Sequence, residues 1–134
     1  MIEGKAKLVL DSFKEAKIKY EDAHIEEIIL LSYKGLTIVS TEEDRDVNDI
    51  VSAMASGTNS LIARFLKDKL EWKPFESIWI TGSNKNLLIK NIEDIGLLVI
   101  ISGVQKRVNP LKHIEIAAKW LVYMFDDLKK TETH

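Results

Sequence analysis

The stretch Ile28-Ile29-Leu30-Leu31-Ser32-Tyr33-Lys34-Gly35-Leu36-Thr37-Ile38-Val39-Ser40 decides the fold. Its first part, which begins at Ile25, is rich in isoleucine and short, the pattern of a strand. Ser32-Tyr33-Lys34-Gly35 has turn chemistry, and Leu36-Thr37-Ile38-Val39-Ser40 then alternates apolar and polar residues. The whole reads as a β-hairpin, so the remaining segments must extend it or cover its apolar side chains.

On the N-terminal side, Leu8, Val9, Phe13 and Ala16 recur at helical spacing within residues 5–19 and predict a first helix. On the C-terminal side, residues 41–45 form a charged loop. Asp46 is the expected N-cap of a second helix, with Asp49 adding negative charge to its first turn. Pro74 closes that segment after Trp72-Lys73. The helix carries an apolar stripe of Val47, Ile50, Val51, Met54, Leu61, Ile62, Phe65, Leu66 and Leu70. A second stripe, Ala53, Ser56, Gly57, Ser60 and Arg64, is mainly small. Glycine inside a helix costs ~1 kcal/mol relative to alanine, so Gly57 needs a reason. Either the small stripe lets the helix lie close to its own sheet, or it receives another helix as a dimer contact.

Residues 76–81, 86–92 and 97–102 read as three further strands, joined by turns at Gly82-Ser83-Asn84-Lys85 and Glu93-Asp94. The last is apolar on both faces, which suits a central strand covered from both sides. A loop at residues 103–108 leads to Asn109-Pro110, an N-cap followed by proline in the first helical position. Leu111, Ile114, Ala118, Leu121, Phe125 and Leu128 continue as a third helix, and the charged residues 129–134 are expected to fray. The order α-β-β-α-β-β-β-α predicts one α/β domain of the α+β kind over residues 5–128. Its expected core is a five-stranded antiparallel sheet flanked by helices.

Composition narrows the function. The 134 residues carry a net charge of -2, which supplies no basic surface for a run of phosphates and argues against nucleic acid as partner. The chain has no cysteine, which removes thiol nucleophiles and cysteine-held metals. His24, His113 and His134 have no second histidine at helical i, i+4 spacing, so no metal site is expected. Neither G-x-x-x-x-G-K-[ST] nor G-x-G-x-x-G occurs, so the chain is not itself a nucleotide-binding GTPase. No G-x-S-x-G elbow occurs either, and the acid pairs Glu42-Glu43 and Glu93-Asp94 fall in turns as solvated charge. The expectation is no catalytic residue, no cofactor, and a protein that is not an enzyme. Trp72, Trp79 and Trp120 are expected to pack, with strand-borne Trp79 the exception to watch. Met1-Ile2-Glu3-Gly4-Lys5 lacks a secretory leader pattern and no apolar run approaches ~18 residues, so a cytoplasmic protein without membrane insertion is expected.

The hairpin, the small-residue second helix, the meander ending in Leu97-Leu98-Val99-Ile100-Ile101 and the closing amphipathic helix together resemble the Roadblock (dynein light-chain) family. The resemblance covers roughly Lys5 to Leu128, on a profilin-like sheet. The Lys34-Gly35 turn departs from it, since an acidic residue or asparagine before the glycine is more usual. The resemblance implies a non-catalytic dimer, a homodimer or a heterodimer, with the homodimer the expectation. In it the second helix pairs with its mate through Ala53, Ser56, Gly57, Ser60 and Arg64, and the third strand joins the two sheets through Ile78, Trp79 and Ile80. It further implies a regulator or scaffold of a small Ras-like GTPase, as activator or as dynein-light-chain-like subunit. Arg45 and Arg107, in expected loops, are then candidate partner contacts. A small-molecule sensor or a structural subunit of a larger complex is the alternative.

Overall fold

The computed structural model describes residues 3–104 and 110–132. After a 3-10 turn (Glu3–Lys5), the elements are α1 (Ala6–Lys19), β1 (Ile25–Leu31), β2 (Thr37–Ser40), α2 (Arg45–Leu70), β3 (Ser77–Thr81), β4 (Lys85–Ile92), β5 (Gly96–Gly103) and α3 (Pro110–Glu132). The expected order holds, with strand ends shifted by a residue. The five strands form one antiparallel sheet in the order β2-β1-β5-β4-β3, which puts the wholly apolar β5 in the middle.

Strand periodicity divides the core in two. Ile28, Leu30, Leu88, Leu98 and Ile100 share one face with Val9, Phe13 and Ala16 of α1 and Ile114, Ala118, Leu121 and Phe125 of α3. Phe13 and Phe125 meet edge to face, with ring centres 6.2 Å apart. Ile29, Leu31, Ile89, Leu97 and Val99 occupy the other face with Ala55 of α2. The sheet is thus sandwiched between an α1/α3 layer and α2 alone. Close strand contact sets Gly96, where a Cβ would stand 2.1 Å from the Leu31 carbonyl oxygen.

Two local expectations, one at each end of α2, are corrected. The N-cap of α2 is Asp44, not Asp46: its carboxylate accepts from the N–H groups of Asp46 (2.9 Å) and Val47 (3.4 Å). Arg45 is consequently the first helical residue and not part of a loop. At the other end α2 stops at Leu70, before Pro74, because Glu71 turns left-handed (φ 54) and the Trp72 N–H reaches the Leu66 carbonyl at 3.0 Å. The third helix, α3, continues past Leu128 to Glu132, and Lys129 Nζ donates to the Glu93 carbonyl oxygen. The expected cap Asn109 and terminal His134 lie outside the described residues. No helix among the described residues is long and apolar enough to cross a membrane.

Candidate functional site

Helix α2 docks on the sheet with the side opposite to its large apolar residues. Its buried positions are Asn48, Ser52 and Ala55. Thr37 Oγ1 lies 2.6 Å from Ser52 Oγ and donates to the Asn48 carbonyl at 3.3 Å. Ser40 Oγ donates to Asn48 Oδ1 at 2.6 Å, and Asn48 Nδ2 donates to the Glu42 carbonyl at 2.8 Å. A polar seam therefore joins α2 to β2, and buried polar groups must be paired this way to avoid a desolvation cost.

The consequence is an exposed stripe. Val47, Ile50, Met54, Leu61 and Phe65 run along the outside of α2, with Ile50 69% and Leu61 68% exposed. Val51, Ile62 and Leu66, from the same expected stripe, are half-buried, and Leu70 is exposed. Ala53, Gly57, Ser60 and Arg64 are also exposed and flank the apolar residues, whereas Ser56 is half-buried. Ser56 stands beside the hairpin turn, where Gly35 (φ +90) leaves no room for a Cβ, which would meet Ser56 Oγ at 2.6 Å. At Gly57 a Cβ would meet nothing within 4 Å. The chain's own sheet does not require that glycine. Of the two readings of the small stripe, the fold uses the intramolecular one for Ser56 only.

Strand β3 ends the sheet order, so one of its sides pairs with no strand. Ile78 packs partly against the α2-side core, Ile80 is exposed, and alternation puts Trp79 on the opposite face. Arg45 sits exposed at the α2 N-terminus and Arg64 near the exposed stripe; Arg107 lies outside the described residues.

The chain matches no protein-family model and no curated protein sequence. Solved structures are similar to it over most of their length. A Roadblock/LC7 domain from Streptomyces avermitilis superposes with TM-score 0.68 at 19% identity, covering 80% of this chain and 87% of that one. Myxococcus xanthus MglB gives 0.68 at 15%, covering 89% and 95%, and the gliding protein MglB from Thermus thermophilus gives 0.71 at 14%, covering 87% and 84%. The chain has the Roadblock/LC7 fold.

On this Roadblock/LC7 fold a cleft of about 890 Å³, not anticipated from sequence, opens between α3, the β4–β5 turn and residues 74–76. Tyr33, Phe75, Lys90, Glu93, Asp94 and Tyr123 are among its walls. The Tyr33 hydroxyl donates to the Ile92 carbonyl at 2.8 Å and lies 2.6 Å from Asn91 Oδ1. Burial raises its pKa above the ordinary value of 10.0, aided by the charges of Asp94 and Glu93. Tyr33 therefore stays protonated at neutral pH and ties the hairpin turn to β4. Among the described residues no group of His, Asp and Glu could hold a metal ion. Trp120 packs edge to face on Tyr20 at 6.1 Å, as expected, but Trp72 is exposed rather than packed.

Proposed function

We propose that this chain is a non-catalytic interaction module that forms a homodimer through α2 and β3 and, as a dimer, binds and regulates a small Ras-like GTPase in the cytoplasm. The observation that carries the dimer is the exposed stripe Val47, Ile50, Met54, Leu61 and Phe65, which leaves α2 apolar on its outside. Contiguous apolar surface of this kind marks an interaction site, because leaving it in water forfeits about 25 cal/mol per Å². Ala53, Gly57 and Ser60 beside it permit close approach of a second helix, with Arg64 and the β3 residues Ile78, Trp79 and Ile80 completing the contact.

The GTPase rests on the family resemblance and is supported by the likeness to two MglB structures, one of them described as a gliding protein. A chain without a phosphate-binding loop fits the regulator in such a pair. Arg45, exposed at the start of α2, and Arg107 are the cationic candidates for the partner contact. The test mixes the purified protein with the Ras-like GTPase encoded nearest its gene, loaded with GDP or with a non-hydrolysable GTP analogue. Binding that differs between the two nucleotide states is expected, and equal failure to bind both forms across such GTPases would remove the regulatory reading.

A further inference from the structure

We infer that a cavity under the C-terminal half of α2 binds a small aryl carboxylate. The sheet-facing side of the helix, set by Asn48, Ser52 and Ala55, continues at helical spacing through Asn59, Ala63 and Leu66. The first three are buried, but Asn59 and Leu66 are only half-buried and Ala63 is exposed. Beside them opens a cavity of about 290 Å³, bounded by α2, by Asn91 of β4 and by residues 72–75, which lead from the helix toward β3. Alternation places Asn91 on the α2 face of the sheet with Ile89. The cavity is therefore a gap in the layer between α2 and the sheet. It lies on the side of the helix away from Ile50, Met54, Leu61 and Phe65, so the inference does not depend on the dimer proposed above.

The walls define the ligand. Leu66, Trp72, Pro74 and Phe75 make the body of the cavity apolar, and its indole and phenyl rings favour a flat aromatic partner in stacked or edge-to-face contact. An apolar cavity of ~150 Å³ holds a benzene ring. About 290 Å³ accommodates a fused bicyclic one. Among the described residues, the charged ones lining the cavity are Lys67 and Lys73, with no aspartate or glutamate. Neither lysine has an ion-pair partner among the described residues. Lys67, in the last turn of α2, also complements the helix dipole, whereas Lys73 lies beyond the helix end and has no such use. Asn48 spends its side chain on Ser40 and the Glu42 carbonyl, but Asn59 makes no side-chain hydrogen bond to a described residue. Its amide can donate to an anion held by the lysines. An apolar pocket with a few polar groups of one sign fixes both the class and the orientation of its ligand: the ring goes in, the carboxylate stays at the lysines.

Naphthoate is the probe, with naphthylmethanol as its uncharged counterpart and decanoate as an acid without a ring. Calorimetric titration of the purified protein should show saturable binding of naphthoate. The alcohol should bind about 5-fold more weakly at low salt, with the gap closing as salt screens the exposed lysines. Decanoate, which forfeits the ring contacts, should also bind about 5-fold more weakly. Ala63→Trp fills the cavity from an exposed helix position and should abolish binding, while K67A/K73A should lower the acid to the affinity of the alcohol. The three tryptophans give a readout that needs no altered cavity. In isotope-labelled wild type, naphthoate should move the indole N–H resonance of Trp72 and leave those of Trp79 and Trp120 in place. No binding at millimolar naphthoate, or equal affinity for the alcohol or for decanoate, would overturn the inference. Binding that survives Ala63→Trp, or that leaves the Trp72 resonance unmoved, would overturn it too, by placing the ligand elsewhere. Should Ala63→Trp lose its helical signal, the wild-type resonances decide: a Trp72 shift that saturates with naphthoate sustains the site, and its absence discards it.

Discussion

Gly57 and Gly96 are both glycines, yet the surrounding structure asks different things of them. At Gly96 the Leu31 carbonyl occupies the place of a Cβ, so Gly96→Ala must part β1 from β5 and should cost several kcal/mol, read as a large fall in the urea midpoint. At Gly57 the space is open and the backbone helical, so Gly57→Ala should leave the monomer's fold intact or stabilise it by up to ~1 kcal/mol. Gly57→Glu is expected to spare the fold and weaken the dimer by ~3 kcal/mol or more, about 100-fold in dissociation constant, because the carboxylate would be buried unpaired between helices. Sedimentation over a concentration series checks it; an unchanged constant would move the helix contact elsewhere. Tyr33 offers a pH signature. Its folded-state pKa is raised, so above about pH 10 the unfolded chain gives up a proton that the folded chain keeps. The stabilising contribution is complete below pH 10 and disappears as pH rises through the raised value. Tyr33→Phe should therefore lose stability less steeply than wild type in alkaline denaturation.

Helix α2 shows how far periodicity can be trusted. The hairpin was legible because β-branched residues flank a turn, and the central place of β5 because Leu97 to Ile101 are apolar on both faces. The same logic applied to α2 identifies an apolar stripe correctly but cannot say which way it points. Inward orientation would have been the ordinary guess, yet Asn48 and Ser52 face the sheet, because Thr37, Ser40 and the Glu42 carbonyl, on the preceding strand and loop and outside the helix's own pattern, supply their partners. Start signals are ambiguous at a finer scale, since Asp44 and Asp46 both have N-cap chemistry and only the hydrogen bonds choose Asp44. Asp44→Ala should cost about 1 kcal/mol, whereas Asp46→Ala removes only a first-turn charge and should cost a few tenths. Equal losses in thermal melts would contradict the assignment. The cleft beside Tyr33 was illegible for a further reason: α3, the β4–β5 turn and the segment after α2 meet there, and no local pattern in any one of them signals the others.

At the scale of the whole molecule, three helices are unequally employed. The α1/α3 layer closes its own core around Phe13 and Phe125, while α2 covers its face with Ala55 and a polar seam and leaves Ile50, Met54, Leu61 and Phe65 outside. If a second copy covers that stripe, as proposed, a GTPase partner would meet a dimer, and Arg45 stands two residues before Val47, where the stripe begins. Arg45, the first residue of α2, is held by the helix rather than carried on a loose loop. An arginine finger must extend to the transferred phosphate, where it is worth roughly 10³-fold or more in rate. A helix-anchored arginine is better placed to read the GTPase surface, and selecting the GTPase's own competent switch conformation requires only differential affinity for its two states. Arg45→Ala is therefore expected to weaken binding while any stimulated rate at saturating protein falls less than about 10-fold, a loss worth under 1.4 kcal/mol of barrier. Single-turnover phosphate release measured with Arg45→Ala and Arg107→Ala, each titrated to saturation, separates the two effects. Loss of nearly all stimulation with binding intact in either variant would establish a donated arginine and discard conformational selection as the main mechanism.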